Sequence, residues 1–175
     1  LGLVVYGYMK KGFIKKGDVL ELGPFQGQYE KVLIKSIHNN NRKFVNKLKA
    51  GEGGCFNIRF LNKKKTFERN MIRKGMVLTN KPILVKKFKA NVQIFHHQST
   101  ITKNYQPVLN SGKISQSAKI LKIYNDKEIL RSGDFAKVDF EFCYHPEYIE
   151  NKTLFVFREG LTRGIGRIIE LQIHF

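Results

Sequence analysis

Hydrophobic and polar residues alternate along most of the chain. The segment KVDFEF (137–142) places a valine and two phenylalanines on one face of an extended strand, with charged residues on the other. The same alternation recurs in GLVVYGYM (2–9), DVLELG (18–23), KVLIKSI (31–37), GCFNIRF (54–60), FKANVQIF (88–95), AKILKIY (118–124), TLFVF (153–157) and RIIELQIHF (167–175). No window keeps an amphipathic helical pattern for long, and KTFERNMIRKG (65–75) fits a single helical turn. Many short strands without helices predict an all-β chain of antiparallel barrels or a sandwich.

Turn residues divide the pattern into two units. Glycine precedes a strand in KKGD (15–18), AGEG (50–53), RKGM (73–76) and RSGD (131–134). The segment TNKPILVK (79–86) contains Pro82 in a polar setting and is a natural crossing point between two all-β units. We therefore predict one unit over residues 1–82 and another over residues 83–175. The opening LGLVV (1–5) has the pattern of the interior of a strand, so the first strand is expected to be truncated.

The charge of the chain is strongly positive. It carries 32 Lys and Arg residues against 14 Asp and Glu residues, a net charge of +18. Such a field attracts polyanions, nucleic acid first and acidic membrane surfaces second. The alternative is compositional, since a lysine- and asparagine-rich genome inflates runs such as NKKK (62–65) and NNN (39–41). The basic residues are spread along the whole chain, so the charge predicts affinity for polyanions without locating it.

The composition also bears on where the protein works. A hydrophobic content of 42% with 14 phenylalanines supplies a core, and no stretch approaches the ~20 apolar residues of a membrane span. No signal-peptide pattern opens the chain. Cys55 and Cys143 lie far apart in apolar runs and fit no metal spacing, which favours reduced core residues of an intracellular protein. We expect a cytoplasmic monomer without membrane contact.

The motifs of catalysis are missing from the sequence. Nucleotide hydrolysis needs a glycine-rich loop that ends in Gly-Lys-Ser/Thr, whereas GEGG (51–54) opens a strand instead. No HExxH or CxxC motif occurs, and the neighbouring His96 and His97 point to opposite faces of a strand. The sequence therefore predicts neither a metal site nor an enzyme in this chain.

One hairpin-like stretch asks for a further explanation. In FVFREGLTRGIGRII (155–169), an Arg-Glu-Gly turn and basic residues separate two apolar runs. Three glycines occur where a plain hairpin needs one. One possibility is that the turn only closes a barrel, with Arg158 paired locally to Glu159 or another carboxylate. The other is that it contacts a ligand.

The order of the motifs resembles domains two and three of the translational GTPases typified by elongation factor Tu and elongation factor one alpha. The motifs in question are GLVVYGYMKKGFIKKGDVLELGP (2–24), IKSI (34–37), AGE (50–52), IRKGMVL (72–78), YQPVLNSGKISQSAKI (105–120), SGDFAKV (132–138) and FREGLTRGIG (157–166). GMVL and the compact FREGLTRGIG are most similar to the elongation-factor relatives called the GTPBP group. The resemblance implies two consecutive antiparallel β-barrels, residues 1–82 as domain two and 83–175 as domain three, with the GTPase domain lying upstream and outside this chain.

The resemblance also implies a set of tRNA-facing residues in the second barrel. In this family the Arg-Glu-Gly turn faces the T-stem backbone of bound tRNA, which implies that role for Glu159 and Gly160. Arg163 follows on the same turn, and Ser117 falls on a family threonine that faces the same stem. His145 falls where a lysine is often found, so its contact is expected to be weaker or pH-dependent. Glycine allows close approach of a backbone to phosphate or ribose.

The first barrel resembles the domain that holds the aminoacyl end of tRNA. Tyr6, His38 and Gly53 fall on or near the positions that line that pocket. His38 replaces an acidic residue and Gly53 an asparagine, and in the second barrel Val108 replaces a glutamine. Specificity for the aminoacyl end is thus in doubt, although a barrel surface can bind RNA through phosphates without such a pocket.

Three functions are compatible with these observations. The first is the non-catalytic C-terminal half of a GTP-binding elongation factor-like protein, which binds tRNA and the ribosome and docks on its own GTPase domain, where GTP and Mg²⁺ are held. Tyr6, Tyr105, Tyr144 and Phe175 are then candidates for base stacking. The second is a protein-interaction module that relays the state of the GTPase and has only non-specific RNA affinity. The third is a lysine-rich ribosome-associated barrel protein without a GTPase partner.

Overall fold

A computed structural model describes residues 2–174, and it confirms the predicted all-β fold class. Phe175, a predicted stacking residue, and Leu1, the first residue of the predicted opening strand, lie outside the described residues. The strands are β1 (Leu3–Tyr8), β2 (Phe13–Lys15), β3 (Val19–Phe25), β4 (Gln28–Asn39), β5 (Phe44–Val45), β6 (Lys47–Lys49), β7 (Gly53–Phe60), β8 (Val77–Thr79), β9 (Leu84–His96), β10 (Val108–Ser111), β11 (Ile114–Tyr124), β12 (Phe135–Phe142), β13 (Leu154–Glu159) and β14 (Thr162–His174). A 3₁₀ turn, Arg69–Met71, lies within the segment for which a single helical turn was predicted.

The first unit is a curled antiparallel sheet. It contains the residues up to Arg73 together with Val77–Pro82. Its strands follow the order β1-β7-β4-β3-β8, with β5 paired to β4 and a separate two-stranded sheet formed by β2 and β6. The inner face of the sheet carries the apolar core, because alternate side chains of a strand share a face. The fully buried members include Val32, Ile34, Ile37 and Ile58.

The second unit is a closed barrel. It contains Lys74–Met76 and the residues from Ile83 onward. The strand order is β10-β11-β12-β9-β14-β13, and β10 also pairs with β13, which closes the ring. The alternation predicted for residues 137–142 holds in β12, where Val138, Phe140 and Phe142 are buried and the intervening side chains are not. Inward-facing side chains of all six strands fill the interior.

Two of the three glycines in the 155–169 stretch serve the packing of this barrel. Gly164 lies opposite Phe157 and Gly166 opposite Phe155 in the β13–β14 pairing. A Cβ atom on Gly164 would collide with the Phe157 ring and lie 2.9 Å from the carbonyl oxygen of Gln93, and one on Gly166 would collide with the Phe155 ring. Each phenylalanine thus lies across the glycine opposite it, an aromatic–glycine pairing known in sheets.

Candidate nucleic-acid interface

The third glycine forms the tip of a tight hairpin, which we name the rim hairpin (residues 158–163). Glu159 and Thr162 form its last strand pair, so Gly160 and Leu161 make a two-residue turn. Gly160 has φ of 53° and no atom within 4 Å of a Cβ added there. Glycine at the first central position suits such a turn, because left-handed backbone is strained for other residues. The tip is therefore open to close approach by a ligand.

The two strands of the rim hairpin present different residues on their two faces. Thr162 is 5% exposed, and it and Glu159 share the face of the buried Phe157, which leads into the barrel. Arg158 and Arg163 are opposed to each other on the outer face, and both are exposed. The structure therefore separates two residues for which a common tRNA-facing role was predicted: Glu159 lies at the barrel mouth and Arg163 on the outer wall.

Arg163 belongs to a row of outward-facing residues that crosses five strands, which we name the arginine row. The strand register places its members in the order Ser117, Val108, Arg158, Arg163 and His96. Neighbouring strands lie about 4.8 Å apart, so the row is about 19 Å long. Within residues 2–174, the guanidinium groups of Arg158 and Arg163 make no ion pair, which contradicts local pairing of Arg158 with a carboxylate. Opposed like charges repel each other, and an anion bound between them would relieve that repulsion.

A polar cluster, the rim network, lies behind the rim hairpin. The hydroxyls of Tyr105 and Thr162 are 3.1 Å apart, and Nδ1 of His97 lies 2.6 Å from the same Thr162 oxygen. Ser99 Oγ lies 3.3 Å from Nε2 of His97, whose ring meets the Tyr105 ring edge-to-face at 5.4 Å. Burial and a hydrogen bond to Glu159 raise the pKa of Tyr105 to about 12. Tyr105 is thus partly buried and engaged by its hydroxyl, which differs from the freely stacking ring predicted from the sequence.

His145 follows a segment that is hydrogen-bonded to the Ser117 backbone, but its ring contacts Gln116 and Glu147. Its Nδ1 is 2.9 Å from Nε2 of Gln116 and 3.2 Å from Oε1 of Glu147, a residue that is 1% exposed. The backbone N–H of Cys143, two residues earlier, donates to the Ser117 carbonyl at 2.9 Å. The imidazole nitrogen Nδ1 thus faces this buried polar cluster, although the ring is one third exposed.

The predicted residues of the first unit also fall in a row, which we name the aromatic row. The register of β1, β7, β4 and β5 aligns Tyr6, Cys55, His38 and Phe44. Tyr6 is 68% exposed and Phe44 75% exposed, and the Phe44 ring centroid lies 3.9 Å from that of His38. Cys55 is a free thiol on this face and only partly buried, which differs from its predicted place in the core. Phe44 was not predicted, because it lies in a two-residue strand with no alternation to reveal it.

Gly53 lies beneath the tyrosine of this row. A Cβ atom there would be 2.7 Å from the Tyr6 hydroxyl and 3.2 Å from Oδ1 of Asn40. The Tyr6 hydroxyl donates to that same oxygen at 3.4 Å. The phenol therefore occupies the space above Gly53 that a larger residue would fill, and the structure brings Tyr6, His38 and Gly53 together on one surface.

The exposed side chains of the two rows and the open tip of the rim hairpin are groups that can bind a nucleic acid. In the part of the chain that the structure describes, no three His, Cys, Asp or Glu side chains are grouped so as to hold a metal ion. None of the helical segments among residues 2–174 has the length and apolar character to span a membrane. Unpaired arginines, an open glycine tip and exposed aromatic rings are instead typical of surfaces that bind phosphates and bases.

Comparison with known proteins gives relatives along nearly the whole chain. GTP-binding protein 1 of Xenopus laevis is 37% identical over 175 residues, which cover 98% of this chain and 25% of that protein. GTP-binding protein 2 of Homo sapiens is 32% identical over 176 residues, 98% of this chain and 28% of that protein. Elongation factor 1-alpha of Methanocella arvoryzae is 32% identical over 114 residues, 63% of this chain and 25% of that protein. No protein-family model matches the chain. The chain thus spans about a quarter of the length of these relatives.

Proposed function

The chain is homologous along its length to a segment of GTP-binding proteins 1 and 2 and is related to elongation factor 1-alpha, and from this premise we propose that it is an RNA-binding, non-catalytic part of an elongation factor-like GTP-binding protein. Its ligands are tRNA and the ribosome. In this proposal the two all-β units dock on a GTPase domain of the same protein, and that domain binds GTP and Mg²⁺.

The arginine row is the observation that carries this proposal. A guanidinium can bind a phosphate through two parallel hydrogen bonds, and Arg158 and Arg163 present two such groups side by side, neither of them in an ion pair with any residue the structure describes. Ser117 adds a hydroxyl at one end of the row. Val108, which lies between Ser117 and Arg158 in the row, is apolar. We therefore assign the phosphate contacts to Arg158 and Arg163.

The aromatic row supports a second RNA contact. Exposed rings of Tyr6 and Phe44, with His38 between them in the register, offer faces on which unpaired bases stack. Stacking tolerates any base, so this surface requires a single-stranded segment and not a particular sequence. The 3′ end of a tRNA meets that requirement.

The proposal is tested by tRNA binding, measured as fluorescence anisotropy over a series of salt concentrations. Duplex RNA and single-stranded RNA serve as competitors. The variant Arg158→Gln/Arg163→Gln is compared with Lys113→Gln/Lys152→Gln, which removes the same charge from exposed turns at the opposite end of the barrel. We expect the arginine variant to lower the slope of log affinity against log salt by about 1.5, because each lost phosphate contact removes about 0.7–0.9.

The result distinguishes a specific tRNA-binding site from non-specific attraction of RNA to the positive charge of the chain. A preference for tRNA that persists at physiological salt, and that the arginine variant alone reduces, supports the proposal. Equal losses in the two variants, with no preference among the three RNAs, would mean that the net charge of +18 attracts any polyanion.

A second candidate function is supported by the aliphatic residues beside the arginine row. Leu154 is 60% exposed, and the opposed pair Val156 and Ile165 are 38% and 39% exposed on the same outer face. Apolar side chains among arginines are typical of protein interfaces. On this reading the barrel docks a protein, foremost its own GTPase domain. Val156→Ser/Ile165→Ser should then weaken binding of that domain, added separately, and leave tRNA affinity unchanged.

A further inference from the structure

The outer wall of the closed barrel carries a band of exposed residues, which we name the apolar stripe. The strand register places side by side Phe135 of β12, Gln93 of β9, Ile165 of β14 and Val156 of β13. Phe135 is 67% exposed, and Phe95, two positions beyond Gln93 in β9, completes the stripe at 54%. Four strands are crossed in three steps of about 4.8 Å, so the stripe is about 14 Å long. Exposed apolar residues that occur singly are ordinary, but a contiguous group marks an interaction site.

Basic side chains border the apolar stripe on both sides. Side chains two positions apart on a strand share a face and lie about 7 Å from each other. That step leads on one side to Arg158 and Arg163 of the arginine row, and on the other side to Arg167 and Lys137. All four are exposed, and none of them forms an ion pair with any residue the structure describes. The two basic borders are therefore about 13 Å apart.

The carboxylates of Asp139 and Glu170 lie beyond these borders and have other partners. Asp139 accepts a hydrogen bond from the Tyr124 hydroxyl at 2.8 Å, and Glu170 forms an ion pair with Lys89 at 3.3 Å. The surface around the apolar stripe thus keeps an excess of positive charge. A ligand that covers the stripe must bring the negative charge that complements it.

The dimensions and charges of this surface fit an amphipathic helix with acidic edges. A helix with its side chains is about 10–12 Å across, so an apolar face laid on the stripe puts both polar edges against the basic borders. An extended strand is too narrow, since it presents a single line of side chains to each face. A second copy of this chain is disfavoured, because its own net charge of +18 would bring like charges to the same borders.

We propose that the apolar stripe is the docking site for an acidic amphipathic helix of a separate partner protein. Aromatic anchors with arginines around them have the composition of binding hot spots. A strong positive field speeds the encounter with a free acidic partner, whereas a domain joined to the chain is already present at high effective concentration. The docking site does not depend on RNA binding, although Arg158 and Arg163 border it.

The test is binding of a designed peptide of about 18 residues, which is five helical turns, measured as fluorescence anisotropy of a fluorescein label. Leucine forms one face of its helix and glutamate the remainder. A scrambled peptide has the same composition and charge but no apolar face. Because the basic chain attracts both peptides equally through its charge, we expect the helical peptide to bind at least about tenfold more tightly than the scrambled one.

The variant Phe95→Ser/Phe135→Ser removes both aromatic anchors of the apolar stripe. Tyr8→Ser/Phe13→Ser is the matched control, since those two rings are 64% and 56% exposed in the first unit. We expect the stripe variant to weaken binding of the helical peptide by at least about tenfold, and the control to change it by less than about twofold. Thermal unfolding of each protein reports any loss of stability separately from affinity.

A second variant keeps every apolar side chain and tests a basic border instead. Lys137→Gln/Arg167→Gln removes the border that the arginine row does not share. Binding of the helical peptide should weaken by about threefold to tenfold and become less sensitive to salt, because exposed ion pairs each contribute modestly. Lys113→Gln/Lys152→Gln, with the same loss of charge at the opposite end of the barrel, should change the affinity by less than about twofold.

Several results would overturn the inference. Equal binding of the two peptides, or equal losses in the stripe variant and its control, would mean that the peptide follows only the net charge. Displacement of the peptide by the GTPase domain, added separately, would assign the stripe to that domain. Binding to vesicles of phosphatidylcholine and phosphatidylserine that the stripe variant loses would make the stripe a membrane contact. A protein with no preference for tRNA would refute the proposed function alone, since the peptide assay contains no RNA.

Discussion

The face of a strand on which a residue lies determines which groups it can contact. Ser117 and Arg163, two of the residues for which tRNA contact was predicted, lie on the outer face in one row, whereas Glu159 lies at the barrel mouth. The alternation in TRGIGR (162–167) indicates which positions share a face. The position of Glu159 relative to them depends also on the turn being two residues long, and sequence spacing alone does not fix that length.

The side-chain contacts of Tyr105 could not be predicted from the sequence, because they join residues that are far apart along the chain. Its hydroxyl meets Thr162 across 57 positions of the chain, and His97 meets Thr162 across 65. Contacts of such separation follow from barrel closure, which sets the register of β9 against β14. A tyrosine in a loop therefore looked like an exposed stacking ring.

The raised pKa of Tyr105 predicts a loss of stability in alkali. The unfolded chain releases the phenol proton near pH 10, and the folded protein holds it to about pH 12. Stability from this group is therefore fully present below pH 10 and lost as the pH rises toward 12. Urea unfolding of the parent and of Tyr105→Phe, at about pH 9 and about pH 11, measures the effect. The parent should lose more stability than the variant between the two conditions, and equal losses would contradict the assignment.

Among the structural elements, the long strands were predictable and the short ones were not. Period-two alternation marked β4, β9, β11, β12 and β14, since each presents one face to a core and the other to solvent. The strands β5, β6 and β8 have only two or three residues, too few to show a period. Their existence depends on pairing with longer neighbours.

The pairing of β13 with β14 predicts a stability change at Gly164. An alanine there would force the Phe157 ring and the carbonyl of Gln93 to move, so we expect Gly164→Ala to lower the free energy of unfolding by about 1–3 kcal/mol. Gly7→Ala is the control, since its Cβ would meet the Phe56 ring at an ordinary 3.4 Å. Denaturant unfolding compares the two variants. A loss at Gly7 as large as that at Gly164 would indicate a general sensitivity of strand glycines.

For the whole molecule, the alternation of hydrophobic and polar residues predicted the all-β class, and the homology confirms the resemblance to elongation-factor domains that the order of the motifs indicated. The net charge indicated affinity for polyanions but no location, because lysines and arginines are spread along the chain. The strand register adds that Arg158 and Arg163 are opposed, and neither forms an ion pair among residues 2–174, which is why the proposed function assigns phosphate contacts to them.

The closed ring of the second unit predicts that it folds alone. All six strands of the barrel come from residues 84–174, and the described residues of its core lie between Ile83 and Leu171. A fragment of residues 74–175 should unfold cooperatively and keep the dependence of RNA binding on Arg158 and Arg163. Circular dichroism on heating gives the first result and anisotropy the second. A fragment that lacks a cooperative transition would show that the ring needs the rest of the chain.

The strands that carry the two rows also differ in how easily their backbone hydrogen bonds open. Every strand of the ring has a neighbour on each side, so an amide in β13 or β14 exchanges its hydrogen with water only when a large part of the barrel opens. In the first unit, β1 pairs with β7 alone among the described strands, so Tyr6 lies on an edge that opens at lower cost. Under the proposed function, the second unit then offers a surface of fixed spacing, suited to a regular helix, and the first unit offers one that can adjust to unpaired bases.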